Sequence, residues 1–390
     1  MAYLAAFVYF VQGAVSLAAI AFPLLLRGKG WGVSQISTFS FIVGLPWTLK
    51  IFYGALTDGV PITGLRRKPY IILSSIISIF SWAGLSYFHH HKFLLYFFAI
   101  ASNVGFAMTD VVADALIVER SNETNAKIYQ SICWGSRSIG AILGGFLGGW
   151  LANRIPYIYV IALSSLLPIT TLACGILIPE PEAPHLAGNP IFYPIKQSLS
   201  ALFKGDLKWF SLLLLIVSFS AAFNTPSFFY LKEKLGFSET FLGTLTSLAW
   251  IGATLGCLIY AKLLKDVPLR TMLAWAIGIN AVNVLSSFLV VSAASAATLS
   301  FFGGITSYLS FLPLISAATV LSRQKGIEGS LFAVLMSVNN LGQLLATFVG
   351  GILFDIIGLK PLILLSAGVG LIGYWAVNRL KMKPGGNDAS

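Results

Sequence analysis

Charged residues are scarce in this chain of 390 residues. Asp, Glu, Lys and Arg make up 10% of the sequence, whereas 57% is hydrophobic. Soluble domains carry roughly 25% charged residues, so a water-soluble core is excluded. The mean hydropathy of +0.84 instead predicts a chain that is solvated by lipid.

Cysteine and histidine, the usual nucleophiles and metal ligands, are also rare. Cys133, Cys174 and Cys257 lie far apart inside apolar segments, without disulfide or metal-site spacing, and are expected to be packing residues. His89–His91 are consecutive and cannot share one helix face, so they predict a loop rather than a metal site. No Ser–His arrangement lies at membrane depth, and no GxxxxGK[ST] loop occurs. The sequence therefore predicts no enzyme activity, no metal, no cofactor and no ATP-driven transport.

Long apolar runs are what the sequence does contain. A bilayer core of about 30 Å needs about 20 apolar residues per helix, and on that measure the chain has twelve spans. Neither a basic region nor a small-residue cleavage site precedes the first run, which predicts a membrane helix rather than a removed signal. The expected spans are 3–26, 34–56, 70–89, 93–117, 129–151, 157–178, 208–230, 239–262, 270–291, 296–321, 330–352 and 360–380.

The spans fall into two halves that repeat. GAILGGFLGGWL from Gly140 matches GQLLATFVGGIL from Gly342, and both end in a glycine pair that is expected to serve close helix packing. Two six-helix halves repeated in parallel are typical of the major facilitator fold, whose substrate site lies between the halves at the midplane. We therefore predict an all-α membrane protein with twelve transmembrane helices in two pseudo-symmetric six-helix bundles. The expected domains are an N-terminal bundle at 1–178, a cytoplasmic linker at 179–206, a C-terminal bundle at 207–383 and a polar tail at 384–390.

The net charge of +11 does not indicate nucleic-acid binding, because the cations are scattered between apolar runs rather than aligned on one face. An even number of spans places both termini on one side of the membrane. Loops on that side carry sixteen Lys and Arg residues, against seven on the other side. Cytoplasmic loops carry the excess of cations, so both termini and the linker are predicted to be cytoplasmic.

Four charged residues lie inside predicted spans, all in the first half: Lys50, Asp110, Asp114 and Arg137. A charge near a helix centre costs about 2.5–3.5 kcal/mol on insertion scales, so it persists where it is paired or faces water. Asp110 and Asp114 share one helix face, with Asn103 one heptad earlier. One interpretation is a substrate-binding or proton-coupling site, with Asp110 or Asp114 carrying the proton. The other is a structural ion-pair network retained for specificity.

The repeat favours the functional interpretation. Its offsets place uncharged residues at the corresponding positions of the second half: Thr254 for Lys50, Ser316 for Asp114 and Asn339 for Arg137. Helix attachment alone gives no reason for this asymmetry.

Single polar and aromatic residues add further candidates. Gln12, Asn224 and Asn339 are candidate polar groups of the cavity, and Trp47, Phe106 and Trp134 are candidates for stacking on a ring. Each is also explained by ordinary packing or helix–helix hydrogen bonding.

The stretch from Gly44 to Leu73 predicts an interhelix loop that gates transport. It leaves an apolar segment through a glycine and an acid, turns at a second glycine and reaches a basic cluster. This order resembles the signature loop of major facilitator proteins, with the extra residues GVPIT as a departure from the pattern. The resemblance implies that the loop latches the outward-open state. The residues that carry it are Gly54, Asp58, Gly64, Arg66 and Arg67.

The whole chain resembles the folate–biopterin transporter family. The motifs are PW-x-x-K-x-x-x-G-x-x-x-D-x-x-P-x-x-G-x-R-R-x-P-Y in that same stretch, DVVADALIVERS from Asp110, YQSICWGSRSIGAILGG from Tyr129, and the run from Leu235 to Arg270. The resemblance implies a secondary active transporter that imports folate or related pteridines with protons, by alternating access. It implies a cyanobacterial inner membrane, a plastid envelope or a protozoan membrane. The expected partners are the substrate, protons and the lipid bilayer, and the carrier is expected to be monomeric.

The side chains are compatible with such a cargo. A pterin ring offers adjacent N–H donors to a carboxylate such as Asp110 or Asp114, and folate carboxylates suit Lys50 or Arg137, the latter in bidentate fashion. Two alternatives stay open. The same fold could carry another small organic anion or a sugar, or the protein could be a non-transporting membrane receptor or scaffold.

Overall fold

The structure is a computed structural model that describes residues 2–120, 126–177, 179–180, 192–264, 267–324 and 327–381. Helices make up nearly all regular structure within these residues, apart from one isolated bridge between Ile62 and Leu65. The predicted polar tail at 384–390 and residues 181–191 of the predicted linker lie outside the described residues. The described end of the linker is helical from Phe192, where the sequence predicts only a connecting segment.

The helices follow the predicted spans, several of them in two pieces. The helices preceding the linker are α1 Ala2–Ala14, α2 Ala21–Gly28, α3 Val33–Gly44, α4 Lys50–Gly59, α5 Lys68–Tyr87, α6 Lys92–Arg120, α7 Ala126–Ala152, α8 Tyr157–Leu163 and α9 Leu167–Leu177. The remaining helices are α10 Phe192–Ala201, α11 Gly205–Ser218, α12 Asn224–Phe229, α13 Glu239–Leu263, α14 Leu269–Ser286, α15 Ala293–Leu321, α16 Glu328–Ile357 and α17 Leu359–Arg379.

In four of the predicted spans, a short 3₁₀ segment separates two α-helices. These 3₁₀ segments lie at Val15–Ala18, Leu45–Leu49, Ser164–Leu166 and Phe219–Phe223. Pro46 lies in the second of these, where its missing N–H and its fixed ring disfavour a continuous α-helix. Such breaks leave backbone groups outside the regular helical ladder, which a membrane protein tolerates where protein or water satisfies them.

Eleven helical segments within the described residues are long and apolar enough to cross a membrane. They include Ala5–Gly28, Val33–Gly59 and Gly205–Lys234, each of which combines helices on both sides of a break. The predicted span that is not among these eleven is the fifth, 129–151, which corresponds to α7, a 27-residue helix whose hydropathy is lowered by several glycines and by Arg137. The chain is an all-α, multi-pass membrane protein, as the sequence predicts.

Contacts divide the chain into two units. Unit 1 consists of Met1–Gly32, Ile42–Tyr193 and Phe237–Ser247, and unit 2 of Val33–Phe41, Pro194–Gly236 and Leu248–Ser390. The divisions therefore fall inside α3 and α13 as well as near the linker.

Glycines bring the helices of unit 1 into backbone contact around α6 and α7. A Cβ atom on Gly13 would lie 2.0 Å from the Arg137 carbonyl oxygen, and one on Gly140 would lie 2.1 Å from the Phe10 carbonyl oxygen. On the other flank, Gly105 of α6 packs directly on Ser78 of α5. These approaches fix α1 and α5 beside the charged residues of α6 and α7.

Unit 2 has an apolar core built by α11, α14, α16 and α17. Its fully buried side chains include Phe210, Leu213, Leu273, Leu331 and Leu335. Glycine also allows close backbone contact here, because a Cβ on Gly350 would lie 1.9 Å from the Ala222 carbonyl oxygen. The repeat in sequence is therefore also a repeat in packing.

Candidate functional site

Unit 1 brings together the four charged residues that the sequence singled out. Lys50 begins α4 immediately after the 3₁₀ segment Leu45–Leu49, and Asp110 and Asp114 lie one turn apart on α6. Arg137 of α7 lies within electrostatic range of the other three. Three helices thus present two acids and two cations to one region of unit 1.

Lys50 and Asp110 form an ion pair. Lys50 Nζ donates to Asp110 Oδ2, with 19% of the lysine side chain exposed and 4% of the aspartate side chain. Removing either partner would leave an uncompensated charge in a dry environment, which is strongly destabilising. The residual exposure of Lys50 leaves one edge of this pair open.

Asp114 has a different kind of partner. The hydroxyl of Tyr9 on α1 donates a hydrogen bond to Asp114 Oδ1, and Tyr9 is 4% exposed. The Tyr9 ring also packs edge-on against Trp134 with ring centroids 6.1 Å apart. Sequence reasoning missed Tyr9, although its position three residues before Gln12 places both on one face of α1.

Arg137 lies near both acids but is not paired with either of them. Its guanidinium lies 5.3 Å from the centroid of the Trp134 ring, a cation–π contact. Within the described residues it forms neither a hydrogen bond nor an ion pair. A half-buried guanidinium in this state has its five N–H donors available to an anion.

The amide of Gln12 is buried beside the Asp110 carboxylate and interacts with it. Among the described residues, neither its Oε1 nor its Nε2 has a partner within regular hydrogen-bond geometry. Leaving a buried polar group unpaired costs about 1–3 kcal/mol, so such groups call for an explanation. A ligand that offers one donor and one acceptor would satisfy both atoms.

Trp47 and Asn103 are joined to the same network. Trp47 Nε1 donates to Asn103 Oδ1 at 2.8 Å, and Asn103 Nδ2 donates to the Ala99 carbonyl oxygen at 2.9 Å. Lys50 Nζ lies 5.1 Å from the Trp47 ring centroid. Because Trp47 belongs to the 3₁₀ segment that holds Pro46, the helix break positions both Trp47 and Lys50.

The other candidates do not join this network. Phe106 is buried on α6, Asn224 is exposed at the start of α12 in unit 2, and Asn339 of unit 2 accepts a hydrogen bond from Ser218 at 3.3 Å. In unit 2, Ser316, which corresponds to Asp114, pairs with Tyr260 through a neutral hydrogen bond of 2.8 Å. Hydrogen bonds between uncharged groups thus occupy positions that are charged in unit 1.

An ion pair between Arg67 and Asp58 stabilises the loop between α4 and α5. Arg67 donates to Asp58 Oδ1 at 2.5 Å and to Thr57 Oγ1 at 3.1 Å, and Arg67 is 4% exposed. Gly64 turns the chain with φ of +78°, a conformation that glycine adopts without strain. Asp58, Gly64 and Arg67 therefore serve the folded shape of this loop, while Gly54 lies against Val111 of α6.

Glu180 fastens this loop and was not recognised from the sequence. Its carboxylate accepts the backbone N–H groups of Arg66, Arg67 and Lys68 at 2.9, 2.8 and 2.7 Å. A carboxylate at the start of α5 also complements the helix dipole. Because Glu180 follows a proline in a stretch that reads as linker, nothing in its local pattern indicates this contact.

The three consecutive histidines lie in the turn between α5 and α6, as predicted. Burial lowers the pKa of His89 below its usual value, and the nearby Lys29 charge adds to this effect. Lys29 Nζ donates to the His89 carbonyl oxygen at 2.6 Å. This turn is a packed connection on the side of unit 1 where α2 ends.

Solved structures with the same architecture are membrane transporters. The chain is similar to a D-xylose–proton symporter, with a TM-score of 0.74, 13% identity and coverage of 98% of this chain and 96% of that one. It is similar to the nucleoside transporter NupG, with a TM-score of 0.76, 13% identity and coverage of 97% and 100%. The fold is therefore that of the major facilitator transporters.

The chain belongs to the BT1 family, whose model matches residues 14–363. Similar proteins include "Probable folate-biopterin transporter 4" of Arabidopsis thaliana, 28% identical over 92% of this chain and 89% of that protein. "Folate-biopterin transporter" of Synechocystis sp. is 28% identical over 90% and 74%, and "Folate transporter 2" of Plasmodium falciparum is 27% identical over 85% and 76%. The protein is a membrane transporter, not an enzyme.

Removing the carboxylate of Glu180 should loosen the loop between α4 and α5. In Glu180→Ala the amides of Arg66, Arg67 and Lys68 lose charge-assisted hydrogen bonds, each of about 1.5–3 kcal/mol. We expect their hydrogen exchange to accelerate at least about tenfold, measured by mass spectrometry on the purified protein. Asp355→Ala, which removes an exposed carboxylate from α16, should leave these amides unchanged. Equal protection in both variants would contradict the contact.

Proposed function

We propose that this transporter imports folate or a related pteridine together with protons. The observation that carries the proposal is that some polar side chains of unit 1 are paired with each other and others are not. Lys50 and Asp110 neutralise each other, whereas Arg137 forms neither a hydrogen bond nor an ion pair within the described residues, and the Gln12 amide lies beside Asp110 without a regular hydrogen bond. The names of the relatives from Arabidopsis, Synechocystis and Plasmodium support folate or biopterin as the cargo.

Arg137 is the proposed site for a carboxylate of the cargo. A planar guanidinium binds a carboxylate through two parallel hydrogen bonds, a stronger arrangement than a neutral contact. The ring of Trp134 lies against the guanidinium and holds it in place. Folate ends in carboxylates, so this cation matches a folate better than it matches a sugar.

Gln12 is the proposed partner of the heterocycle. A carboxamide presents one acceptor and one N–H donor side by side, and the lactam edge of a pterin presents the complementary pair. Its neighbour Asp110 is already engaged by Lys50 and is therefore less available to the ring than the sequence suggests. The tryptophans Trp47 and Trp134 flank this region and remain the proposed stacking surfaces.

Asp114 is the proposed proton carrier. An aspartate beside a lysine holds its charge, as Asp110 does through Lys50, whereas the hydroxyl of Tyr9 brings no positive charge to Asp114. Asp114 also lies one helical turn from the charged Asp110, which favours the neutral form of Asp114. The two acids would thus have different tasks, with Asp110 fixed in an ion pair and Asp114 exchanging its proton.

The sequence and the membership of the family support the remaining features of the proposal. Both termini lie in the cytoplasm, and the protein acts as a monomer in a cyanobacterial inner membrane or a plastid envelope. Alternating access exposes the site to each side in turn. Two other functions stay open: transport of another small organic anion or a sugar, and ligand binding without transport.

Uptake into proteoliposomes tests the function. Radiolabelled folate should accumulate faster with an inward proton gradient than without it, and unlabelled biopterin should compete whereas sugars should not. Counterflow of labelled against unlabelled folate separates a carrier from a receptor, since a receptor binds without exchange. Competition by unrelated anions equal to that by folate would contradict the proposed substrate.

Neutralising Asp114 should uncouple transport from the gradient. In Asp114→Asn we expect folate counterflow to persist while stimulation by the proton gradient is lost, because the amide cannot release a proton. The matched control is Asp355→Asn on α16, which should behave as the unmodified protein. Gradient stimulation that survives in Asp114→Asn would rule out this residue as the carrier.

Neutralising Arg137 should discriminate between cargoes. Charge-assisted hydrogen bonds contribute about 1.5–3 kcal/mol, so Arg137→Gln should weaken folate binding about 10- to 100-fold. Biopterin has no carboxylate and should bind within about twofold of the unmodified protein. Arg154→Gln removes an exposed arginine that also lies over a tryptophan, Trp150, and serves as the control. An equal loss for both ligands would show that Arg137 does not bind the carboxylate.

A further inference from the structure

We propose that unit 2 carries a binding site for an anionic phospholipid at the membrane boundary where α11 begins and α17 ends. The site is built around two tryptophans, Trp209 and Trp375, whose rings meet edge-to-face with centroids 5.1 Å apart. It is separate from the charged residues of unit 1 and does not depend on the identity of the transported molecule.

Cations surround this tryptophan pair. The guanidinium of Arg379 lies 5.7 Å from the Trp209 ring and 5.8 Å from the Trp375 ring, and Lys208 Nζ lies 5.3 Å from the Trp209 ring. Arg270 contacts the same end of α17, where it donates to the Asn378 carbonyl oxygen at 3.5 Å. Three helices therefore contribute positive charge to one surface.

Negative charge that could balance these cations is sparse. Within the described residues, none of Lys208, Arg270, Arg379 and Lys381 forms an ion pair. The nearby carboxylate of Asp206 accepts the backbone N–H of Lys381 at 2.9 Å. An anion that binds here would therefore meet several positive charges that are not neutralised.

The cations lie at the ends of membrane-spanning segments, where lipid headgroups are expected. One membrane-spanning segment begins at Gly205, another begins at Leu269 and a third ends at Arg379. Tryptophan is enriched at this interface, because its ring is apolar and its N–H is polar. The phosphate of a lipid would thus reach Arg379 and Lys208 without leaving the bilayer surface.

An apolar stripe leads from the cations along α17 into the membrane. Leu364, Leu371 and Trp375 are spaced by seven and four residues, which places them on the same helix face as Arg379. All three are exposed, with 58%, 44% and 46% of their surface accessible. Acyl chains can follow this stripe while the headgroup binds at its charged end.

A polar recess lies next to the same helix start. A cavity of about 300 Å³ is lined by Lys204, Asp206 and Gln324 together with apolar residues. It offers a cation, an amide and the Asp206 carboxylate, which accepts hydrogen bonds from hydroxyl groups and would repel a phosphate, so the recess suits the hydroxyl groups of a headgroup rather than its phosphate. The occupant that fits the charge, the depth and the recess is an anionic glycerophospholipid such as phosphatidylglycerol.

Tryptophan quenching by brominated lipid tests the site in the purified full-length protein. Brominated phosphatidylglycerol, titrated into neutral micelles, should quench a saturable part of the fluorescence, and brominated phosphatidylcholine should not. Each cation near an anionic lipid contributes about fivefold in affinity, so Lys208→Gln with Arg379→Gln should weaken the effect about 25-fold. The matched control is Lys92→Gln with Arg154→Gln, a pair that also lies over tryptophans, in unit 1.

A second double variant tests the site independently if the charge variant, Lys208→Gln with Arg379→Gln, does not fold. Trp209→Phe with Trp375→Phe should remove the part of the quenching that is specific for phosphatidylglycerol. Equal quenching by both lipids, or a specific component that survives in either double variant, would overturn the proposal. Reversal by inorganic phosphate would show a site for free phosphate instead, and a dimer that dissociates in the charge variant would show that a second copy covers this surface.

Discussion

An ion pair at membrane depth, Lys50 with Asp110, is the interaction on which the account of unit 1 depends. A single charge near the centre of a membrane helix costs about 2.5–3.5 kcal/mol on insertion scales, so neither residue would be tolerated there alone. Their pairing neutralises one charge of each sign. It also leaves Asp114 with a neutral phenol as its hydrogen-bond partner and Arg137 without an ion pair among the described residues. The functional roles proposed for the latter two residues follow from that division.

The backbone around the pair is shaped to hold it. The 3₁₀ segment with Pro46 ends at Leu49, and Lys50 is the first residue of the next helix. The side chain of Lys50 reaches Asp110 on α6. Gly13 and Gly140 bring α1 and α7 into backbone contact, which places Tyr9 beside Asp114 and Gln12 beside Asp110. In unit 2 the glycine packing recurs, and none of the charged residues that the structure describes there is buried. The repeated scaffold therefore supplies the shape, and the side chains of unit 1 supply the chemistry.

The sequence predicts those features that follow from local pattern or from a large energetic penalty. Apolar length gives the spans, the glycine repeats indicate close packing, and a charge in an apolar run is conspicuous because it is costly. Partners that form only in three dimensions could not be found in this way. A tyrosine such as Tyr9 in an apolar span is ordinary packing by pattern, and Glu180 gives no signal that its carboxylate binds three backbone amides. The exposed position of Asn224 likewise depends on the helix break before it, which sets the face that this residue presents.

The most direct test of the central claim replaces the pair by uncharged residues of similar size, Lys50→Met with Asp110→Asn. Replacing a buried ion pair by uncharged residues is often neutral or stabilising, so the double variant should insert and keep its thermal stability. In this account the charge of Asp110 acts on the proton exchange of Asp114, so the folded double variant should lose gradient-driven folate uptake in proteoliposomes, and this is the result we predict. Uptake at the level of the unmodified protein would show that the pair serves only to hold helices together, and would contradict the account.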